Sequence, residues 1–445
     1  MASERLEVVE ICAGAGGQSL GLHNAGFTHK LALELDQNAA ATLRHNLARL
    51  IEAEGTSEED AKREADAIVK VGDVADTSLW DPGAHKDVDL LAGGVPCPPF
   101  SIAGNQLGAT DERDLFAWAV HLCRDIQPKA LLLENVKGLS GNRFSAYRQH
   151  ILELLHDAGY VGEWRLLEAH QFGVSQLRPR FVLIALQKEF AEYFHWPEPS
   201  KVKAPTVGEL LKDLMGANGW AEEHVEAWVG KASAIAPTIV GGSKKHGGAD
   251  LGPTRAKAAW LELGVDAMGV ADAAPDSGKD GSHLPRLTTK MVSRIQGWYG
   301  EKYYWEFQGR KTTVYRQIGN AFPPPVAEAL GRAIASALRQ EKKRSDSVEW
   351  VRPDLDPVYL LLRHHPDRSL TAQKMADLIM KSGGKRLPLP EIERRIAHIE
   401  RDFHVEKTAR NSGELAYRLG EFRAFVGQQD HARHDYFAQH RGKVS

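Results

Sequence analysis

Residues 6 to 17 read Leu-Glu-Val-Val-Glu-Ile-Cys-Ala-Gly-Ala-Gly-Gly, an apolar run followed by a glycine-rich turn. The apolar run, residues 6–11, predicts a buried strand, and the residues after Gly17 predict the start of a helix. A strand, a glycine turn and a helix in this order are typical of α/β nucleotide-binding folds, because glycine lets a ligand approach the backbone closely. The turn lacks the dinucleotide form of GxGxxG and no P-loop lysine follows it, so alone it is weak evidence for any one ligand.

Acidic residues close the next two predicted strands. Residues 31–33 predict a second strand that ends at Glu34, and a third strand predicted at residues 69–74 carries Asp73 near its end. A carboxylate in the position of Glu34 commonly accepts hydrogen bonds from ribose hydroxyls, and Asp73 is expected to face an adenine amino group. A pocket for ribose and adenine without phosphate-binding chemistry favours S-adenosyl-L-methionine over NAD or ATP.

Cys97 stands between Pro96 and Pro98, just after an apolar run at residues 88–92 that predicts another strand. The flanking prolines fix backbone dihedral angles and remove N–H donors, so the thiol is expected on a rigid turn. Such a thiol is a candidate nucleophile. The alternative is a small buried hydrophobic residue, which is the commoner use of a free cysteine.

A carboxylate and two guanidinium groups are predicted at the same edge of the sheet. Residues 130–133 predict a strand that ends at Glu134, and Arg178 and Arg180 precede the next apolar run. The two arginines alternate along an extended chain, so they are expected to project to one side. Ligands of open α/β sheets bind at the carboxyl ends of the strands. With the cysteine, these groups form a candidate site for binding and attacking a polar ring.

In this order, the fragments resemble the motifs of the cytosine-C5 DNA methyltransferases, of the bacterial type II restriction–modification kind. The resemblance runs from about residue 6 to about residue 340. It implies a doubly wound, Rossmann-like α/β sheet that binds S-adenosyl-L-methionine, with a small target-recognition domain inserted before the last motif. The segments that carry it are 10–17, Glu34, Asp73, Pro96-Cys97, Glu134-Asn135-Val136, 176–180, 286–298 and 317–324.

The resemblance implies a role for each residue of the candidate site. The Cys97 thiolate adds to C6 of a cytosine, Glu134 protonates or hydrogen-bonds N3, and Arg180 holds O2. Arg178 supports the cysteine loop or contacts the DNA backbone, and the base that removes the C5 proton is not identified. The implied contacts of the cofactor and of its product, S-adenosyl-L-homocysteine, are Cys12, Ala13, Gly14, Gly16, Gly17, Glu34, Leu35, Asp73, Val74, Pro96, Leu115, Asn320 and Ala321.

Three positions depart from the usual pattern of the family. Cys12 replaces an aromatic residue that packs on the cofactor, and Leu35 replaces an aromatic residue that often follows the ribose-binding glutamate. Both changes suggest looser stacking on the cofactor. Pro98 stands where the family has glutamine, which removes an amide but leaves the thiol in place.

Double-stranded DNA is the implied substrate, and its target nucleotide must be rotated out of the stack. Residues 101–113 are expected to form a mobile loop that closes over the DNA, with Gln106 filling the gap; the alternative is an ordinary surface loop. Glycines and a basic cluster between residues 187 and 285 predict further DNA contacts, against the alternative of a solvated loop. The predicted DNA-binding residues are Ser101, Gln106, Arg113, Gln176, Ser243, Lys244, Lys245, His246, Thr254, Arg255 and Lys257.

The chain divides into three predicted regions. Residues 1–187 with 306–340 are assigned to a catalytic and cofactor-binding domain, and residues 188–305 to the target-recognition domain. Residues 346–445 follow a polar linker and lie beyond the resemblance. A separate alanine-rich, charged segment at residues 52–70 predicts an exposed helix with no site of its own.

The C-terminal region is predicted to be a small helical domain. Three amphipathic helices are predicted between residues 357 and 403, and a further helix at residues 414–427. Ser369 or Thr371 is expected to cap one of them. The domain is expected to be of helix-turn-helix or winged type, and either to add DNA contacts or to mediate dimerisation.

Composition narrows the setting of the protein. The 445 residues carry a net charge of −3, so the basic residues that contact DNA must be concentrated locally. Three cysteines suit a reducing compartment, and no run of eighteen apolar residues or metal-ligand spacing is present. We therefore expect a monomeric cytoplasmic enzyme on the bacterial nucleoid, without a metal, and with a cognate restriction endonuclease as a partner acting on the same site.

Two other functions remain open at this stage. One branch of the same family methylates cytosine in transfer RNA, although the sizeable recognition segment favours DNA. A catalytically inactive DNA-binding regulator is the second, and the presence of Cys97, Glu134 and Arg180 argues against it. A dehydrogenase interpretation of the glycine turn explains none of these three residues.

Overall fold

The computed structural model describes residues 5–76, 78–95, 113–241, 249–344 and 356–422. Within these segments no helix is long and apolar enough to cross a lipid bilayer. The strands are β1 Leu6–Ile11, β2 Phe27–Glu34, β3 Val69–Val71, β4 Leu90–Gly93, β5 Ala130–Val136, β6 Tyr160–Glu168, β7 Pro179–Gln187, β8 Leu370–Thr371, β9 Phe403–Ala409 and β10 Leu415–Phe422.

Helices account for most of the remaining regular structure. They are α1 Gly17–Asn24, α2 Gln37–Ala53, α3 Glu58–Ile68, α4 Arg113–Asp125, α5 Ser145–Asp157, α6 Lys188–Ala191, α7 Val207–Met215, α8 Glu222–Lys231, α9 Thr254–Glu262, α10 Thr289–Ile295, α11 Lys311–Asn320, α12 Pro324–Leu338, α13 Pro357–His364, α14 Ala372–Lys381 and α15 Leu389–Ile399. Short 3-10 helices at Lys137–Ser140 and Asn142–Phe144 connect β5 to α5.

A seven-stranded sheet lies at the centre, with the strand order β3-β2-β1-β4-β5-β7-β6. The neighbouring strands among β1 to β5 are parallel, whereas β7 is antiparallel to both β5 and β6. The parallel strands β4 and β5 are neighbours, so the groups that follow them meet at one edge. The predicted α/β fold with a Rossmann-like sheet is confirmed.

Helices cover both faces of the sheet. Side chains of α4 and α5 pack on one face, against residues such as Leu91 and Leu131. Side chains of α1 and α12 pack on the other face, against residues such as Leu90 and Leu132. Because both faces are covered, the central strands read as continuous apolar runs, which is why the sequence predicted them.

A third core joins the sheet's edge to the segment between β7 and α11. Residues of α2 form one cluster with residues of α7, α8, α9 and α10. Helix α7 begins with a capping box, in which the Thr206 hydroxyl accepts from the Glu209 amide and the Glu209 carboxylate accepts from the Thr206 amide. The exposed helix predicted at residues 52–70 is present as α3, and the boundaries of the three domains stay a prediction.

The C-terminal segment combines α13, α14 and α15 with a three-stranded sheet in the order β8-β10-β9. The three helices predicted between residues 357 and 403 are present, and Thr371 caps α14 by accepting from the amide of Lys374. The helix predicted at residues 414–427 is wrong, because residues 415–422 form the strand β10. The turn at Gly413, whose φ is +80°, reverses the chain so that β10 pairs with β9.

Candidate active site

A cavity of about 640 Å³ opens at the carboxyl edge of the central strands. It is bordered by the glycine turn after β1, the ends of β2 and β5, and the C-terminal end of α11. The predicted cofactor residues in its lining are Cys12, Ala13, Gly14, Gly17, Glu34, Leu35, Asp73, Val74, Leu115, Asn320 and Ala321. Pro96 lies outside the described residues.

Gly14 and Glu34 tie the glycine turn to the end of β2. The Gly14 amide donates to Oε2 of Glu34 at 2.7 Å, and Oε1 of Glu34 accepts from the Asp36 amide at 2.7 Å. Gly14 has a φ of +58°, and a methyl group built on it would meet nothing within 4 Å. Burial raises the pKa of Glu34, and the two backbone hydrogen bonds oppose that rise. The turn therefore presents a bare backbone beside a fixed carboxylate.

Gly16 is not among the residues that line this cavity, and its assignment to the cofactor stays a prediction. Its φ is +94°, and a methyl group built on it would lie 2.4 Å from a ring atom of Trp305. The Trp305 indole N–H donates to the carbonyl of Ala15 at 2.7 Å. Glycine is needed here because the tryptophan ring packs directly on the turn.

Two buried polar side chains in the lining were missed by the sequence analysis. Gln18 is 3% exposed, and neither atom of its side-chain amide has a hydrogen-bond partner among the described residues. Oε1 of Glu10 also lacks one, while its Oε2 accepts from Ser19 and lies 2.8 Å from Nε2 of His29. Buried polar atoms without partners are rare in proteins. These atoms therefore point to a polar ligand, and the only sequence signal was a glutamine directly after the glycine turn.

Glu134 and Arg180 form a buried pair in the wall of the cavity. Nε of Arg180 lies 2.5 Å from Oε1 of Glu134, and both side chains are about one-tenth exposed. The pair is possible because β5 and β7 are adjacent and place the two side chains near the same end. Burial raises the pKa of Glu134, and the positive charges of Arg180 and Arg178 oppose the rise. The site thus holds a carboxyl group whose pKa is raised by burial, so it takes up a proton more readily than an exposed carboxyl does.

The loop that leads to Cys97 leaves β4 beside this pair. A methyl group built on Gly94 would lie 3.6 Å from Oε2 of Glu134, and the Asn135 side-chain amide donates to the carbonyl of Val95 at 3.2 Å. Cys97 itself lies outside the described residues. The last described residues before it are therefore held against the Glu134 carboxyl.

Arg178 is buried away from the Glu134 carboxyl and braces the backbone. It is 1% exposed, and its guanidinium donates to the carbonyls of Ile239 at 2.7 Å, Gly319 at 2.7 Å and Ala321 at 2.9 Å. Of the two expected roles, support of the cysteine loop stays a prediction, and contact with the DNA backbone is wrong for this conformation, because the residue is 1% exposed and its guanidinium is taken up by backbone carbonyls. The segments that contain Ile239, Gly319 and Ala321 close over Arg178.

Gln176 is also a brace, which corrects its assignment to DNA. It is 0% exposed, its amide donates to Oε1 of Gln296 at 2.5 Å, and its oxygen accepts from the Ile239 amide at 2.9 Å. Together with Arg178 it fixes the chain at Ile239. That residue comes shortly before the glycine- and lysine-rich segment at residues 241–248.

Replacing Arg178 by methionine is expected to destabilise the protein by about 3 kcal/mol, because the buried carbonyls of Ile239 and Gly319 lose their donor and the Ala321 carbonyl keeps only that of Gln296. Urea denaturation of the two proteins measures the difference. The matched control is Arg165→Met, since Arg165 is exposed on β6 and pairs only with surface groups. A loss for Arg178→Met no larger than that of the control would contradict the bracing role.

The remaining predicted DNA-binding residues differ in exposure, and most of their side chains lie outside the described residues. Thr254 and Arg255 are exposed on the first turn of α9, whereas Lys257 is part-buried and its ammonium lies 2.8 Å from the Asp250 carboxylate. The others lie outside the described residues or, for Arg113, have a side chain outside them: Ser101, Gln106, Arg113, Ser243, Lys244, Lys245 and His246. In the described segments no three His, Cys, Asp or Glu side chains converge as metal ligands.

The chain is similar in sequence to known methyltransferases. Residues 6–336 match the sequence model of the C-5 cytosine-specific DNA methylase family. The chain is 57% identical over 442 residues to the Type II methyltransferase M.NaeI of Lentzea aerocolonigenes, covering 99% of this chain and all of that protein. It is 46% identical over 336 residues to the Type II methyltransferase M.NgoMIV of Neisseria gonorrhoeae, covering 75% of this chain and 98% of that protein. Among solved structures, the S. pombe Dnmt2 methyltransferase aligns with a TM-score of 0.47 and 14% identity, over 76% of this chain and 100% of that one.

Proposed function

The chain belongs to the C-5 cytosine-specific DNA methylase family, and from this premise we propose that it methylates C5 of a cytosine within a short, specific sequence of double-stranded DNA. The observation that carries the proposal is the buried contact of Glu134 with Arg180, in the wall of the cavity that the glycine turn also lines. A proton donor and a fixed cation beside a cofactor-sized cavity suit the activation of a polar ring. We further propose that the chain acts as the modification enzyme of a restriction–modification system.

S-adenosyl-L-methionine is the proposed methyl donor, and the residues of the cavity fit it. Glu34 offers a carboxylate to ribose hydroxyls, Asp73 and Val74 line the part of the cavity after β3 for adenine, and Gly14 leaves room for close approach. Bound there, the cofactor supplies an electrophilic methyl group and leaves as S-adenosyl-L-homocysteine. Cys12 and Leu35 occupy the two positions where aromatic stacking is usual in the family, so we assign most of the affinity to hydrogen bonds.

The polar atoms of Glu10 and Gln18 are proposed to hold the amino-acid end of the cofactor. Oε1 of Glu10 can accept from an ammonium group, and the Gln18 amide can donate to a carboxylate. A buried polar group without a partner costs about 1–3 kcal/mol. A ligand that completes these atoms recovers that free energy on binding.

Replacing Gln18 by leucine is expected to weaken cofactor binding about tenfold and to raise the melting temperature of the free protein. Both effects follow from one cause, because leucine removes a buried amide that lacks a partner until the ligand arrives. Calorimetric titration with S-adenosyl-L-methionine and thermal unfolding without it measure the two. The contrast is Gln317→Leu, which is expected to lower the melting temperature, since the Gln317 amide already bonds Thr42 and Gln308. Unchanged affinity in Gln18→Leu would exclude this assignment.

Cys97 is the proposed nucleophile, since C5 of cytosine cannot take a methyl group until a nucleophile has added at C6. Two residues of chain span about 7 Å at most, and Val95 is held by Asn135 next to Glu134. The thiol is therefore within reach of a ring held at the Glu134 carboxyl. An ordinary thiol is only a few per cent ionised at pH 7, and we propose that the Arg180 cation raises this fraction by favouring the thiolate.

The proposed reaction conserves protons and electron pairs through named groups. The Cys97 thiolate bonds to C6, the electrons of the 5,6 double bond move toward N3, and Glu134 donates its proton there. C5 then takes the methyl group as that group's bond to the sulfonium sulfur breaks, and the bonding pair stays on sulfur. Loss of the C5 proton to a base that we do not assign expels the thiolate, and N3 returns its proton to Glu134. Arg180 is proposed to hold O2 of the ring throughout, with Arg178 as a positioning residue behind it.

The duplex is proposed to lie between the catalytic domain (residues 1–187 and 306–340) and the recognition domain (188–305). Thr254 and Arg255 are exposed and available to it. Residues 101–113, including Gln106, are proposed to close over the extruded base, and residues 243–246 to contact the DNA. We propose a monomer that acts on chromosomal DNA in the cytoplasm, paired with an endonuclease for the same site.

The test offers the protein labelled S-adenosyl-L-methionine with duplex DNA, with transfer RNA or with no nucleic acid, and measures transfer of the labelled methyl group. We expect 5-methylcytosine in duplex DNA only, found at one sequence by bisulfite sequencing. Label found in transfer RNA would show that transfer RNA, and not DNA, is the substrate. Binding of DNA without methyl transfer would indicate an inactive regulator.

A further inference from the structure

The described C-terminal segment, residues 356–422, has the architecture of a winged helix. Its elements follow the order α13-β8-α14-α15-β9-β10, and β10 pairs with both β8 and β9 in an antiparallel sheet. Helices α14 and α15 are joined by a short turn at residues 382–388. In helix-turn-helix proteins the second of two such helices enters the major groove of DNA. By position, α15 is that helix.

One face of α15 is buried and the opposite face is exposed. Ile392, Ile396 and Ile399 are buried in the core of the segment. Arg394 and Ala397 are exposed on α15, and Arg401 is exposed two residues after the helix ends. Nη2 of Arg394 lies 2.5 Å from Oε2 of Glu391. We call Arg394, Ala397 and Arg401 the exposed stripe. Two arginines around a small alanine leave room for a phosphate backbone or a base edge to approach.

Cations also flank this stripe. Lys385 and Arg386 lie in the turn before α15, are exposed, and have no ion-pair partner among the described residues. Arg410 is exposed in the turn of the β9–β10 hairpin. The turn and the hairpin are the places from which a winged helix reaches the DNA backbone, so the charges suit a duplex.

The segment is fixed to the catalytic part of the chain. The Tyr359 hydroxyl donates to Glu153 of α5 at 3.1 Å, and the rings of His150 and Phe422 have centroids 4.4 Å apart. Helix α15 packs against the 3-10 helix Asn142–Phe144. That helix follows Glu134 in the chain after β5 ends.

Charged groups of α15 and of the catalytic part of the chain lie close together where α15 packs against the 3-10 helix Asn142–Phe144. Burial lowers the pKa of His398 on α15, and the charges of three arginines lower it further. The three are Arg401, Arg394 and Arg143. Arg143 belongs to the 3-10 helix between β5 and α5, so cations of the two parts of the chain lie close enough to interact.

From this arrangement we propose that α15 binds a segment of the substrate duplex that flanks the methylated sequence. The proposal rests on the proposed function, because it extends the same DNA beyond the catalytic cavity. The alignment with the Neisseria relative spans 98% of that protein and 75% of this chain, so the family's reaction does not require every part of this chain. The winged helix then lengthens the footprint and does not take part in the chemistry.

The experiment compares a short duplex that covers only the target sequence with one extended on both sides. The variant is Arg394→Ser with Arg401→Ser, and the control is Lys62→Ser with Arg63→Ser, two exposed cations on α3 with surface ion pairs. For the wild type we expect the longer duplex to bind at least about tenfold more tightly. The variant is expected to lose this advantage, and its slope of log affinity against log salt on the longer duplex to become shallower by about 1.8.

The other outcomes are distinct. Equal affinity of the wild type for both duplexes, or a variant that behaves like the control, would overturn the proposal. The proposal would also be overturned if the wild type sedimented as a dimer, the variant sedimented as a monomer, and the longer duplex bound no more tightly than the short one. A second copy of the chain would then bind the surface of α15. Methylation of the short duplex is expected to be unchanged in the variant, and its absence in the wild type would instead overturn the proposed function.

Discussion

Cys97→Ser is expected to lower methyl transfer to duplex DNA by more than about a thousand-fold, because a serine hydroxyl is almost never ionised at neutral pH and cannot add to C6. Binding of DNA and of S-adenosyl-L-methionine should change little, since sulfur and oxygen differ little in size. Single-turnover transfer with saturating enzyme isolates the chemical step. The three cysteines of the chain make the assignment testable within one protein.

The matched control for this variant is Cys123→Ala. Cys123 is 1% exposed on α4, and burial raises the pKa of its thiol, so it is an inert part of the core. Its replacement should leave the single-turnover rate within a few-fold of wild type. A Cys97→Ser enzyme that kept a tenth of the wild-type rate would remove the thiolate from the mechanism.

Glu134→Gln is expected to lower the same rate by about 10²- to 10⁴-fold, the usual contribution of a general acid. Glutamine keeps the size of the side chain and can donate a hydrogen bond, but it cannot transfer a proton to N3. The dependence of this rate on pH has an expected direction. Burial raises the pKa of Glu134, so the wild-type rate should fall as pH rises through that raised pKa. The Gln variant should lack this decline.

The pH-rate profile of single-turnover transfer, measured for both proteins, tests this assignment. Glu163→Gln is the control, because Glu163 lies partly exposed on β6 of the same sheet and pairs with Arg165. It should retain the wild-type profile. If the alkaline decline persisted unchanged in Glu134→Gln, the titrating group would be another residue.

Local sequence patterns predicted the structure correctly where neighbouring residues alone decide it. The strand β1 was predicted with its observed bounds, because a run of apolar residues ends abruptly at a glycine turn. The meeting of β4 and β5 followed from the rule that carboxyl ends of parallel strands share an edge. That rule also placed Glu134 beside the loop leading to Cys97.

Local sequence patterns gave wrong predictions where long-range packing decides whether a polar side chain is buried or exposed. Gln176 and Arg178 lie in a functional motif and were assigned to DNA or catalysis, yet both are enclosed by the chain near Ile239. No local pattern predicts that the ring of Trp305, almost three hundred residues away along the chain, packs on Gly16. The segment at residues 415–422 was predicted helical, but pairing with β9 across the Gly413 turn makes it a strand.

The most direct test of the account uses duplexes in which the target cytosine is replaced by 5-fluorocytosine. Fluorine at C5 cannot leave as a proton does, so the enzyme should remain bonded to C6 after methyl transfer. With S-adenosyl-L-methionine present, we predict a denaturation-resistant protein–DNA adduct, mapped by mass spectrometry to Cys97 and absent in Cys97→Ser. Turnover of ordinary cytosine with no adduct on the fluorinated duplex, or an adduct at any other residue, would contradict the central claim.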